Sequence, residues 1–120
     1  MTSVLVVDAA NVVGSVPDGW WRDRAGAARR LHERLLVGDI AFDEVVLVLE
    51  GGAKAGVRSG RDAHVRVVHA ARDGDSEIQR QAREALAAGR RVVVVTADRA
   101  LAANVTPAQV LSPSWLLDHI

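Results

Sequence analysis

"SVLVVDAANVVG", Ser3–Gly14, is the stretch whose reading decides the fold. Val4–Val7 is apolar without alternation. It ends in a carboxylate, Asp8, followed by small residues and then an amide, Asn11. An unbroken β-branched run is what a strand covered on both faces looks like, and such strands belong to parallel sheets. A carboxylate at the tip either ties down a turn or is presented there for chemistry.

The pattern recurs along the chain. Further apolar runs are Val45–Leu49, Val65–Val68, Arg91–Val95 and Gln109–Leu111. Four of the five are continuous and Val-rich. Helical patterns separate them. Ala27, Ala28, Leu31 and Leu35 recur at helical spacing, as do Ile78, Ala82, Ala85 and Leu86, with Gly89 as the C-terminal stop. Leu101 and Val105 mark a short third helix. Ser112-Pro113 starts a last one, Ser as N-cap and Pro in the first turn, with Trp115, Leu116 and Ile120 docking it. Strands alternating with helices predict an α/β fold with right-handed crossovers and a doubly wound sheet. Glu50–Ala63, "EGGAKAGVRSGRDA", carries four glycines and no strong period and reads as a functional loop.

The composition is consistent with this. The chain has 120 residues, 49% of them hydrophobic, which predicts a single domain over 1–120 with one sizeable core. No run is long and apolar enough to span a membrane, and no signal peptide is evident. With no cysteine, disulfides and thiolate zinc sites are excluded, and a cytoplasmic location is the default expectation. A net charge of zero argues against a uniformly basic nucleic-acid binder. The charge is nevertheless uneven. Lys54, Arg58, Arg61, Arg66 and Arg72 face a single acid, Asp62, in that segment, and Arg22, Arg24, Arg29, Arg30 and Arg34 line the next helix back. Such a basic surface would hold a phosphodiester, or would simply be a solvated face.

The acids are placed more systematically. Asp8 follows the first strand, Glu50 the second, Asp73 and Asp75 the third and Asp98 the fourth. In a parallel sheet these tips share one edge, where ligands of open α/β folds bind. Crowded carboxylates repel, and a hard divalent ion such as Mg2+ or Mn2+ removes that penalty. Metal-assisted phosphodiester hydrolysis is the chemistry that follows. Asn11 would orient a carboxylate or a water. Each acid also has a plain structural reading. Asp98 caps the helix starting near Arg99, and Ser76 with Gln79 forms a capping box beside Asp75. The joint pattern favours a shared acidic site of Asp8, Asp75 and Asp98. Trp20-Trp21 offers indoles either to stack on unpaired bases or to staple a loop to the core. His32, His64, His69 and His119 show no ligand spacing, and His64 is a candidate for substrate contact.

Taken in order, "VLVVDAANVVGSVPDGWWRDR", "ARDGDSEIQRQA", "VVVVTADRALAANV" and "SPSWLL" resemble the NYN domain family of PIN-like ribonucleases, closest to its compact bacterial branch, over nearly the whole chain. The resemblance implies a three-layer α/β/α sandwich with a mainly parallel five-stranded sheet in the order 3-2-1-4-5. It also implies a Mg2+- or Mn2+-dependent endoribonuclease. Position by position, Asp8 and Asn11 match the D-x-x-N motif, Asp75 the acid opening the central helix, and Asp98 the acid of T-x-D-R. Asp8, Asp75 and Asp98 would hold metal and Asn11 would join them in catalysis; the basic segment and the tryptophan pair, read from the residues, add Arg58, Arg61, Arg66 and Trp21 as candidate RNA contacts. Two departures stand out. Ala9 replaces a glycine after the first acid, and Ser76 replaces a second acid, with Asp73 or Glu77 as substitutes. They support an alternative, a catalytically weak or inactive RNA-binding or partner-docking module. RNA is the expected partner. A protein partner or an antitoxin is left open, as is the oligomeric state.

Other α/β readings fit less well. A dinucleotide fold needs G-x-G-x-x-G after its first strand, and only Gly14 stands in that turn. A receiver domain lacks its acidic pair, and a D-x-D phosphatase motif fails at Ala10.

Overall fold

The structure is a computed structural model that describes residues 2–120. Six strands make one sheet: β1 (Ser3–Asp8), β2 (Glu44–Leu49), β3 (Gly60–Asp62), β4 (Val65–His69), β5 (Arg91–Val95) and β6 (Gln109–Leu111). Five helices flank it: α1 (Ala9–Gly14), α2 (Arg24–Val37), α3 (Gly74–Ala87), α4 (Arg99–Asn104) and α5 (Pro113–His119). Trp20–Arg22 and Gly51–Gly56 are 3₁₀ segments.

The strand order is β3-β4-β2-β1-β5-β6. All neighbours are parallel except β3, which runs antiparallel to β4. Without β3, the five parallel strands have the expected order 3-2-1-4-5. The sixth strand arises in the glycine-rich segment read from sequence as loop. Gly60–Asp62 is exposed at all three positions and has no apolar run, so only pairing with β4 makes it a strand. α1 also departs from the expectation of a bare turn. The Asp8 side chain caps it by accepting from the Asn11 amide.

The continuous runs are buried because both faces are covered. Leu5, Val7, Leu47, Leu49 and Val93 pack toward Ala28, Leu31 and Leu35 of α2 and Leu116 of α5. Val4, Val6, Val46, Val48 and Val94 pack toward Ile78, Ala82 and Ala85 of α3 and Leu101 of α4. Alternate residues of one strand therefore feed two separate cores, the period-2 geometry of a strand inside three layers. Each fully buried Val or Leu contributes about 1.5–3 kcal/mol relative to exposure.

The chain works outward from β1 in both directions, through β2 and β4 on one side and β5 and β6 on the other. The reversal lies between β1 and β5, where Val7 is in register with Val95. A crevice forms at the carboxyl ends of strands at such a reversal. No helix among the described residues is long and apolar enough to cross a membrane.

Candidate acidic site at the carboxyl edge of the sheet

Asp8 is the last residue of β1 and is 3% exposed. Its carboxylate is held by three donors. The Asn11 amide N–H reaches Oδ1 at 3.3 Å. Asn11 Nδ2 and Thr96 Oγ1 each reach Oδ2 at 2.9 Å. Asn11 Oδ1 in turn accepts from the Ala97 N–H at 3.1 Å. The amide thus ties the tip of β1 to the segment after β5, and its orientation is set at both ends. Thr96, also 3% exposed, is the second tie. Its hydroxyl donates to Asp8 and accepts from the Asp98 N–H at 3.1 Å.

Asp98 caps α4, its Oδ1 accepting from the Ala100 and Leu101 N–H groups at 2.9 and 3.1 Å. The cap occupies Oδ1 and engages nothing at Oδ2, so capping and ligation are not exclusive. At α3 the cap is Asp73, not Ser76. Asp73 accepts from the Ser76 amide at 2.7 Å and from its hydroxyl at 3.0 Å, which corrects the capping box expected from the sequence. Asp75, in the first turn, is exposed and makes no side-chain hydrogen bond or ion pair among the described residues.

Glu50 completes the group. Its Oε2 accepts from the Gly74 N–H at 2.9 Å. A Cβ at Gly74 would lie 2.8 Å from Glu50 Oε1, so the glycine admits the carboxylate to the start of α3. The sequence places Glu50 at a strand tip without marking it as a site residue. Its signal was the position after β2, shared with the other acids. Neither expected substitute for the missing second acid is free. Asp73 is consumed by its cap, and Glu77 binds Arg80 at 3.0 Å and Gln81 at 2.9 Å.

The electrostatics record the convergence. Partial burial pushes the Asp75 carboxyl above the ordinary aspartate range, and the charges of Asp98, Asp8, Glu50 and Asp73 push it the same way. Burial also raises Asp8, against the bonds from Thr96 and Asn11, with the Glu50 charge adding to the rise. No Arg or Lys pairs with Asp8, Glu50, Asp75 or Asp98 among the described residues. Four carboxylates from four strand tips thus share uncompensated negative charge. They are not a closed chelate: among the described residues, no three His, Cys, Asp or Glu side chains form a ready-made group for a metal ion. The donor set is all hard oxygen, with Asp75, Glu50 Oε1 and Asp98 Oδ2 unengaged. That fits a hydrated Mg2+ or Mn2+, which keeps several waters and needs only one or two direct carboxylates. It does not fit dry three-carboxylate chelation.

The arginines expected to contact RNA are distributed differently. Arg61 and Arg66 lie beside Glu44, at the opposite end of the sheet from the acids. Arg61 pairs directly with Glu44. Arg66 stands 3.5 Å from it and donates to Gln81 at 2.9 Å. Arg90 completes this cluster at 2.8 Å. Burial pushes the Glu44 carboxyl up, but the Arg90 and Arg61 bonds and the Arg66 charge outweigh it and hold the group below its ordinary value. This is a structural ion cluster, and the physical reason is register. β2 begins at Glu44, and β4 lies parallel beside it with Val65 opposite Val45. Arg58 is exposed and unpaired among the described residues, beside Val57, whose carbonyl lies 2.7 Å from His69 Nε2 at the carboxyl end of β4. His64 Nε2 is 3.0 Å from the Leu35 carbonyl oxygen, a fold contact.

Trp21 is 54% exposed and stands edge-on to Trp20, their centroids 6.0 Å apart. Trp20, not Trp21, lines a cavity of about 550 Å³ between α1, α2 and Gly51–Ala53, and Glu50 and Arg72 also line it.

No family model matches the chain. No curated protein matches it either. Solved structures do. A crystal structure of Rae1 (YacP) from Bacillus subtilis superposes with a TM-score of 0.70 at 17% identity, covering 98% of this chain and 74% of that one. At that identity the likeness is one of fold: an α/β sandwich with the same general course.

Proposed function

We propose that the chain is a metal-dependent endoribonuclease that hydrolyses RNA phosphodiester bonds at the carboxyl edge of its sheet. The observation that carries this reading is the set of four carboxylates, Asp8, Glu50, Asp75 and Asp98, which follow four parallel strands and have no cationic partner among the described residues. A folded protein tolerates such crowding where a cation is meant to enter. RNA as the substrate rests on the motif resemblance to the NYN domain family, and the Rae1-like fold supports it at the level of architecture.

One or two of Asp75, Glu50 and Asp98 would hold the hydrated ion directly, and Asp8 would add its charge. A bound Mg2+ or Mn2+ would supply electrophilic assistance to the phosphodiester and lower the pKa of an attacking water. The protein's own part is preorganisation. Asn11 and Thr96 lock Asp8 in place, so its charge does not swing away when substrate arrives. Asp75 has no competing side-chain bond among the described residues, and the repulsion from Asp98, Asp8, Glu50 and Asp73 that raises its pKa is relieved when a cation enters.

The test is cleavage of a labelled single-stranded RNA with Mn2+, alongside calorimetric titration of the metal-free protein. Asp98→Asn keeps an oxygen for the α4 cap and should lower cleavage at least 100-fold while the protein stays folded. Wild-type protein that neither cuts RNA nor takes up a divalent ion would overturn the reading. The second reading, an RNA-binding or partner-docking module, is favoured by Ser76 and by the lack of a closed chelate. It expects salt-sensitive RNA binding with no cleavage.

A further inference from the structure

The cavity beside Glu50 is chemically unlike the acidic edge it adjoins. Its lining includes the small apolar side chains of Ala9, Val13 and Ala28 and the half-buried indole of Trp20. The Arg24 guanidinium lies over that indole, 4.9 Å from the ring centroid. Arg72 also lines the cavity. Neither guanidinium pairs with a carboxylate or donates a side-chain hydrogen bond among the described residues. Arg61, Arg66, Arg80 and Arg90 are all engaged by acids. Two free guanidinium groups, an indole and an apolar lining are the ingredients for a planar base carrying a phosphate.

The size agrees, since about 550 Å³ lies within the usual range for small-ligand sites, roughly 300–1,000 Å³. The segment that lines one side of the pocket is closely packed. A Cβ at Gly56 would lie 2.1 Å from the Ala25 carbonyl oxygen, so the Gly51–Gly56 segment is pressed onto the start of α2. Glu50 belongs to both the pocket and the acidic group, so the pocket adjoins the acids.

We propose that this cavity binds one unpaired nucleotide of single-stranded RNA, its base against the Trp20–Arg24 pair and its phosphate toward Arg72, next to the linkage that is cut. The proposal rests on the nuclease reading for the position of the cut, but binding is measured separately. A base paired and stacked in a duplex cannot enter a recess walled by Trp20, so the site selects unpaired strands.

The experiment is fluorescence anisotropy of an end-labelled eight-nucleotide single-stranded RNA in EDTA, where binding proceeds without cleavage. Trp20→Leu should weaken binding about 5- to 150-fold, the effect of losing one base stack, and Trp20→Phe should restore most of it. Arg72→Ala should make the dependence of log K on log salt shallower by about 0.7, one single-strand phosphate contact, whereas Arg83→Ala, on the exposed face of α3, should not. The same sequence as a duplex should bind more weakly and be indifferent to Trp20. Thermal unfolding checks that each variant is folded. A folded Trp20→Leu protein with wild-type affinity would overturn the pocket, as would a duplex that binds as well as the single strand. If the pocket variants lose affinity but wild-type protein cuts nothing with Mn2+, the nuclease reading fails and the pocket stands. If wild-type protein cuts and Trp20→Leu leaves KM unchanged, the pocket fails and the nuclease reading stands.

Discussion

Thr96→Val is the most incisive single perturbation. The exchange keeps the shape of the side chain and removes one hydroxyl that is 3% exposed and serves two partners. It donates to Asp8 Oδ2 at 2.9 Å and accepts from the Asp98 N–H at 3.1 Å. A hydrogen bond to a charged group is worth about 1.5–3 kcal/mol, and an N–H left without a partner costs about 1–3 kcal/mol. Asp98 is only half-buried, so water recovers part of the second loss. The expected cost at pH 8 is therefore about 2–4 kcal/mol. The sign of its pH dependence follows from Asp8. Burial already raises that carboxyl above its unfolded value, so charging it costs stability as pH rises from the unfolded pKa through the folded one. The Thr96 bond opposes the rise, so losing it lifts the folded pKa further and widens the window over which stability falls with pH. The penalty should accordingly be smaller at pH 3, below the ordinary aspartate range, than at pH 8. Urea unfolding of wild type, Thr96→Val and Thr96→Ser at both pH values, in EDTA, measures it. Ser keeps both bonds and should cost only about 1 kcal/mol for the lost methyl. A Val variant within 0.5 kcal/mol of wild type (roughly the cost of one weak neutral bond), or equally destabilised at both pH values, would refute the linkage of the two strand tips through this hydroxyl.

Three further outcomes are expected. Asp75→Asn should raise the stability of the metal-free protein at pH 7 by a few tenths of a kcal/mol, because exposed charges at this spacing interact weakly in water. The gain should vanish below the ordinary aspartate range, where wild-type Asp75 is itself protonated, and added Mg2+ should raise Tm more for wild type than for the variant. Glu44→Gln should cost roughly 1–2 kcal/mol at pH 7, discounted because Arg61 and Arg66 are partly exposed to water. The Glu44 carboxyl sits below its unfolded value, so this contribution is present above the unfolded pKa and is lost as pH falls through the folded one, which chemical unfolding at pH 3 and pH 7 will show. Gly74→Ala puts a methyl 2.8 Å from Glu50 Oε1, the movable end of a side chain. Stability should change by less than about 1 kcal/mol, while calorimetry should show weaker divalent-ion binding; unchanged affinity would remove Glu50 from the site.

Much of the architecture was legible because its cause is local. An unbroken valine run has few alternatives to a strand buried on both faces, and helical spacing between such runs leaves little choice of layer. The order of the five parallel strands followed from the motif resemblance. β3 was not legible, because Gly60–Asp62 has no apolar signal and is a strand only through its pairing with β4. α1 was hidden for a similar reason: Ala9–Gly14 is too short to show a helical period, and its cap is the Asp8 carboxylate accepting from the Asn11 amide.

Sequence by itself determined that acids stand at the tips of parallel strands, since strand direction and chain order together put Asp8, Glu50, Asp75 and Asp98 at one edge. Which side chains are free at that edge was decided only by the tertiary structure. Hydrogen bonding and ion pairing link residues far apart in the chain, and their choice depends on register, caps and close approach. Thus Asp73 is spent on its cap while Glu50 is admitted by Gly74, Arg61 and Arg66 are taken up by Glu44, and Trp20 rather than Trp21 faces the cavity.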